Sequence, residues 1–398
     1  MRILTFTSLF PNPQMPQHGI FVAHKVALLA SRHEIKVVAP IPYFPRFFPA
    51  PAKWKKLTRI PLLEEQFGIE ISHPRYLITP KIGMVKYGDW MARGTLPTIE
   101  KIQNQGFDFQ VIDAHFTYPD AFAAIKLGRH FNIPVVVTAH GSDISRNKLM
   151  PNIAPLLREV MHAATRLIAV SEEIKQDFIE LGADPDKIHV IANGVDTATF
   201  HPIPRTEARN CLGLSQDQKL IICVGRLDYN KSQWLILETL CKIGRERLLQ
   251  QKIRLALIGE GEDRKKLEAA SRRLGLNDTV RFVGQLAPEK ICLWNNAADV
   301  KVLASIREGS PNVVLEALAC GTPVVASSVG TNPALIESGK NGFLFPSGDS
   351  GALKNQLLTA LETHWDKSAI AGCNKLRNWD TVASEAESVM EQALLTNS

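Results

Sequence analysis

The sequence predicts an α/β protein made of two doubly wound parallel-sheet domains, and three observations carry that prediction. Short β-branched runs alternate with longer helical stretches along the whole chain. The runs are almost uniformly apolar, as expected of parallel strands covered by helices on both faces. They also fall into two series, separated by the proline-containing stretch NGVDTATFHPIPRTEA at 193–208.

The first series comprises RILTF (2–6), IKVVA (35–39), FQVID (109–113), IPVVVTA (133–139), RLIAV (166–170) and KIHVI (187–191). The second comprises KLIICVG (219–225), IRLALIG (253–259), TVRFVG (279–284), DVKVLA (299–304) and TPVVAS (322–327). Their lengths and β-branched content suit strands rather than helices. The tail DTVASEAESVMEQALL reads as an amphipathic helix. The expected division is a first domain at 1–201, a second at 202–377, and a helix at 378–398 that returns to the first.

Composition narrows the function classes. A chain of 398 residues with 45% hydrophobic and 22% charged residues is an ordinary globular protein of two or three domains. The six cysteines lie in the second half without a CxxC pair, as expected of reduced core thiols in a cytoplasmic protein. No apolar run reaches membrane-spanning length, and MRILTFTSLF reads as a strand rather than a leader peptide. The net charge of +6 does not point to nucleic acid. The charge is concentrated, however: residues 1–63 hold nine Lys or Arg against one acid, Glu34. Within them, 43–60 mixes aromatic and basic residues, which fits an anionic membrane surface and equally a proline-rich loop with solvated lysines.

In open parallel sheets, ligands bind beyond the carboxyl ends of the strands, so the loops that follow the apolar runs are the candidate sites. The stretch REGSPNVVLEALACG (307–321) follows one of them. Ser310 as N-cap, Pro311 at the first helical position and Gly321 as terminator predict a short helix from Pro311 to Cys320. Glu316 then sits in an otherwise apolar helix, and Glu308 lies in the loop before it. A carboxylate in such a place needs hydrogen-bonding partners, either from the protein or from a ligand. The loop at Gly309, Ser310, Pro311 and Asn312 precedes a helix start, which is a natural anion site.

Other strand tips carry further candidates. Arg226 and Lys231 could neutralise a diphosphate, or could be plain solvated cations. Gly259 and Gly261 make a tight turn, but Arg264 stands where a dinucleotide fingerprint needs a third glycine. His140 and Asp143 follow another strand, and Gly19 opens a helix near the N-terminus. No residues show metal-ligand spacing; Asp184-Pro-Asp186 sits in a helix-to-strand loop and is not expected to hold a cation. Neither a P-loop nor a nucleophile elbow occurs.

Taken together, these loops resemble the family-4 glycosyltransferases, retaining enzymes of the GT-B fold, and the first half resembles the branch that builds cell-surface polysaccharides. The resemblance rests on the Gly19 loop, VVVTAHGSDI (135–144), IANGVDTATFHP (191–202), VGRLDYNKS (224–232), LIGEGEDRKKLE (257–268) and VRFVGQL (280–286). Above all it rests on EGSPNVVLEALACGTPVVAS (308–327), with its two glutamates separated by seven residues. The chain departs from the usual pattern at Ala304-Ser305, Ser232 and Ala334.

The resemblance implies a role for each matching position. Arg226 and Lys231 would hold the donor diphosphate. Glu316 would take the ribose hydroxyls, and Glu308 the sugar hydroxyls. The loop Gly309 to Asn312 would bind sugar and phosphate, while Gly19, Gly259 and Gly261 would allow close backbone approach. The base would stack near Val283 and Gly284. His140 and Asp143 would line the sugar and acceptor side, with His140, Glu308, Arg226 and Lys231 as the catalytic set. The implied partners are a nucleotide diphosphate sugar and a glycan or lipid-linked acceptor, with no cofactor and no metal. Rival readings are a glycosidase using Glu308 and Glu316, a dehydrogenase, and a non-catalytic nucleotide-sugar-binding protein.

Overall fold

A computed structural model describes residues 1–43, 56–79, 83–373 and 375–397. The chain divides into two compact units, Met1–Asn193 with Trp379–Ser398, and Gly194–Asn378. The strands of the first unit are β1 (Arg2–Phe6), β2 (Glu34–Val38), β3 (Ile41–Tyr43), β4 (Leu63–Gln66), β5 (Ile69–Ser72), β6 (Arg75–Leu77), β7 (Val111–His115), β8 (Val135–Ala139), β9 (Arg166–Ala169) and β10 (Ile188–Val190). Those of the second are β11 (Lys219–Val224), β12 (Ile253–Ile258), β13 (Val280–Gly284), β14 (Val300–Leu303), β15 (Val324–Ser327) and β16 (Gly342–Phe345).

The first unit has an eight-stranded sheet of order β10-β9-β8-β7-β1-β2-β5-β4, and β3 pairs with β6 beside it. Only the edge strand β4 runs antiparallel in that sheet. The second unit has a six-stranded sheet of order β13-β12-β11-β14-β15-β16, parallel throughout. Burial explains the apolar runs: β7, β8, β14 and β15 are buried at every residue. The sequence reading passed over β3 to β6 and β16. These are only three or four residues long, shorter than the runs read as strands, and β4 reads LEEQ with alternate residues exposed.

The division falls at Asn193 rather than at 201. The Val195 N–H donates to the Arg377 carbonyl and Phe200 is buried among Leu303, Val314 and Leu318, so 194–201 belongs to the second unit. The second crossing comes at Trp379, where the helix Trp379–Asn397 begins. Its Val382, Ala383, Ala386, Val389, Met390 and Ala393 recur every three or four residues and pack on Ile3, Val111, Val136 and Ile168 of the first sheet. Arg32 holds its outer face through Asp380 and Glu387 at 2.5 and 2.9 Å.

Three smaller expectations change. The helix predicted from Pro311 runs Asn312–Ala319, with Pro311 at the cap position. All six cysteines are free, but Cys211 and Cys241 are exposed, so only Cys223, Cys292 and Cys320 are buried core thiols. The basic-aromatic segment 43–60 falls largely on 44–55, outside the described residues. Among the described residues, no helix is long and apolar enough to cross a membrane.

Candidate functional site

In the second sheet, β12 and β13 extend from one side of β11, and β14, β15 and β16 from the other. The strand order therefore reverses between β11 and β14, and crevices at such reversals are where open α/β sheets bind ligands. The loops leaving these two strands carry Arg226, Lys231 and Glu308, and they are tied together. The Ile306 N–H donates to the Asn230 carbonyl at 2.8 Å, and the Asn230 amide donates to the Arg307 carbonyl at 2.9 Å. The Lys231 ammonium meets Glu308 Oε1 at 2.5 Å, and the Ser305 hydroxyl donates to the same oxygen at 2.5 Å. Arg226 pairs with Asp228, yet its side chain is 75% exposed. Asp228 is buried and also accepts the Lys231 N–H at 3.0 Å, capping the turn Tyr229–Lys231. Each predicted cation thus has a carboxylate partner of its own.

Glu316 is half-buried, and its Oε2 is enclosed with no hydrogen-bond partner. Burial pushes its carboxyl pKa up, and the charge of Lys301 pulls it partly back. Lys301 lies on β14, fully buried, with its ammonium pushed down to about 8 by burial and donating to Asn295 Oδ1 at 3.2 Å. The sequence reading missed Lys301. The signal was there: one lysine inside the otherwise apolar run VKVL.

The glycine pair serves packing. A Cβ on Gly259 would stand 2.0 Å from the Gly225 carbonyl oxygen, and one on Gly261 would stand 2.1 Å from that of Leu227. The glycines let the loop after β12 press against the loop after β11, which holds Arg226 in place. Gly284 ends β13 and accepts the Gly259 N–H at 2.8 Å, with half-buried Val283 beside it. Gly309 accepts the Thr331 N–H at 3.0 Å, which braces the loop that runs through Ser310 and Pro311 to Asn312.

In the first unit, Gly19 has φ +68° and caps the helix Ile20–Ala30. A Cβ there would lie 2.3 Å from the Leu9 carbonyl oxygen, so only glycine fits that approach. Asp143 is buried, and its oxygens accept the N–H groups of His140, Gly141 and Thr117 at 3.0, 2.8 and 2.9 Å. Asp143 thereby folds the loop that presents His140. His140 Nε2 meets His115 Nδ1 at 2.9 Å, and His115 Nε2 meets Asp113 Oδ2 at 3.1 Å. Lys25 donates to both oxygens of Asp113, at 3.0 and 3.2 Å. Lys25, Asp113 and His115 are all buried, and sequence reasoning passed over all three. They are dispersed over a helix and a strand end, and only the fold brings them together.

Asp184 caps its own turn, accepting the Asp186 N–H at 3.0 Å. Among the described residues, no group of three or more His, Cys, Asp or Glu side chains has metal-binding proximity.

Comparison with known proteins shows the family. Residues 19–199 match the family described as Glycosyltransferase Family 4, and residues 204–375 match Glycosyl transferases group 1. The chain is 32% identical over 280 residues to a D-inositol 3-phosphate glycosyltransferase of Frankia alni, covering 66% of this chain and 69% of that protein. It is 27% identical over 374 residues to TuaC of Bacillus subtilis, named as a teichuronic acid biosynthesis glycosyltransferase, covering 91% of this chain and 89% of that one. Among solved structures, HepE of Anabaena in complex with UDP-glucose matches with a TM-score of 0.69 at 22% identity, covering 99% of this chain and 98% of that one. Its likeness is one of fold. The chain belongs to glycosyltransferase family 4 and is a glycosyltransferase of the GT-B fold.

Proposed function

We propose that this protein is a retaining glycosyltransferase that moves a sugar from a nucleotide diphosphate sugar to a glycan or lipid-linked acceptor in cell-surface polysaccharide synthesis. One observation carries the donor assignment: an exposed arginine, a lysine–glutamate pair and a glutamate with an unfilled oxygen share the strand-order reversal of one sheet. Two cations suit the phosphates, and acceptor oxygens suit the sugar and ribose hydroxyls.

On this reading the donor diphosphate replaces Asp228 and Glu308 as the partner of Arg226 and Lys231. Glu308, released from Lys231, accepts from the sugar hydroxyls, and Glu316 Oε2 accepts from the ribose. Charge develops on the leaving diphosphate as the sugar–phosphate bond breaks. Arg226, Lys231 and the start of the helix Asn312–Ala319 stabilise it. The acceptor hydroxyl attacks from the same face, and its proton passes to the leaving phosphate, so no side-chain nucleophile is required. His140 lies on the sugar and acceptor side. With the phosphate charge carried by side chains, the reading also needs no metal ion, and chelation with EDTA should leave turnover unchanged.

The resemblance and the teichuronic acid name of the Bacillus relative support the polysaccharide role. The same reading places the protein in the cytoplasm, at the inner face of the membrane through residues 43–60.

Thermal-shift measurements with UDP, GDP and ADP, then with their sugar conjugates, test the donor. One nucleotide should raise the melting temperature in proportion to the logarithm of its excess over Kd. NMR of the product should show the anomeric configuration of the donor retained. Release of free sugar from a glycan without any nucleotide would turn the assignment to a glycosidase.

A further inference from the structure

With both imidazoles neutral, the buried chain from Lys25 to His140 admits one distribution of protons when its donors and acceptors are counted. The Lys25 ammonium can only donate, and it donates to both oxygens of Asp113. Asp113 accepts from His115 as well, so His115 carries its proton on Nε2. A neutral His115 then has a bare Nδ1, which must accept from His140 Nε2 at 2.9 Å. His140, neutral in turn, is left with a bare Nδ1. That atom is buried and has no hydrogen-bond partner. His140 lines a cavity of about 20 Å³ beside Phe21, Lys25, His115 and Trp379, enough for one hydroxyl-sized group.

We propose that Lys25, Asp113 and His115 are positioning residues that hold His140 in the tautomer protonated on Nε2, so that Nδ1 presents a bare acceptor to a sugar hydroxyl. The choice of a sugar as ligand rests on the function proposed above; the tautomer does not. Burial keeps both imidazoles neutral by lowering their pKa values, and the titratable groups acting on His140 are His115, Lys25 and Asp113. Without the lysine, the Asp113 charge would act on His115 unopposed. His115 would become an imidazolium, donate from Nδ1 to His140 Nε2, and drive the His140 proton onto Nδ1. The acceptor would become a donor.

The test is ¹⁵N NMR of the full-length protein labelled at histidine. In the wild type, His140 should show a pyridine-type Nδ1 and a pyrrole-type Nε2. In Lys25→Met the two should exchange, with turnover reduced about tenfold to a hundredfold, the scale of one hydrogen bond to a ligand. His140→Asn, whose Oδ1 stands near the place of Nδ1, should keep more turnover than His140→Gln. A wild-type His140 protonated on Nδ1 overturns the proposal without reference to activity, even if Lys25→Met fails to fold. A folded Lys25→Met protein with unchanged tautomers removes Lys25 from the device. Higher turnover in His140→Gln than in His140→Asn refutes the acceptor role of Nδ1. If the tautomers are as expected but the wild type transfers no sugar from any nucleotide donor, the relay stands and the proposed donor chemistry fails.

Discussion

Each unit carries charged groups in or beside its sheet, but the two treat them in opposite ways. In the first unit, Asp113 is fully buried and its oxygens take bonds from Lys25 and His115. Burial alone would raise its pKa; the Lys25 and His115 interactions outweigh that and hold it well below the usual carboxylate range. In the second unit, Glu316 on the helix Asn312–Ala319 also has a lysine acting on it, Lys301 of β14, yet one oxygen bonds to nothing and burial holds its pKa up. Arg226 stands mostly in solvent. Burial is therefore a poor guide to role. The closed network is pre-organised before any ligand arrives, whereas the open one has bonding capacity left for a ligand.

Asp120 in the first unit extends the comparison, because it is as buried as Asp113 but no cation pairs with it among the described residues. Its Oδ1 accepts the Ser8 N–H, its Oδ2 has no partner, and its pKa is pushed up to about 7. Two aspartates of one unit thus sit on opposite sides of the ordinary value.

The largest effect should come from breaking the closed network. Asp113→Ala leaves Lys25 buried without a counter-charge, which costs about 3–5 kcal/mol; urea unfolding should show it as a lower midpoint. Next comes the open network. Arg226→Ala should lower kcat by about a hundredfold to a thousandfold, the scale of one lost donor to developing charge. Its melting temperature should stay within a degree or two, since an exposed side chain contributes little to stability. A collapse of stability instead would show that Arg226 serves the fold, as Asp113 does.

Glu316→Gln should weaken nucleotide binding by about tenfold to a hundredfold, measured by titration calorimetry, through loss of a charge-assisted bond. A further contrast is in pH dependence. The folded state binds the Asp120 proton more tightly than the unfolded chain, with a pKa of about 7 against 3.8. The Asp120 contribution is therefore complete below the unfolded value and is lost as pH rises from about 4 to about 7. Asp113 runs the other way, its contribution being lost as pH falls below the unfolded value. Unfolding at pH 5 and pH 8 should show a larger decline in the wild type than in Asp120→Asn.

The sequence made the sheets legible where their strands are buried on both faces, as in VVVTA and KLIICV. It failed at β4, where LEEQ looks like a polar turn because the edge of a sheet tolerates charge. In the candidate site, Glu316 was readable because it interrupts an apolar run, and Glu308 because it stands in the loop just ahead of that helix. Asp113, at the end of the run FQVID, interrupts nothing, and neither Lys25 nor His115 carries a local signal.

What the sequence determined by itself is therefore whatever depends on neighbours along the chain: the period of the strands, the helix that follows Pro311, and the strand tips at which polar groups collect. Only the tertiary structure decided which charges meet. Lys25 reaches Asp113 across 88 positions of sequence, and Lys231 reaches Glu308 across 77. The energy of a buried charge depends on what lies a few ångströms away in space, and sequence order does not encode that distance.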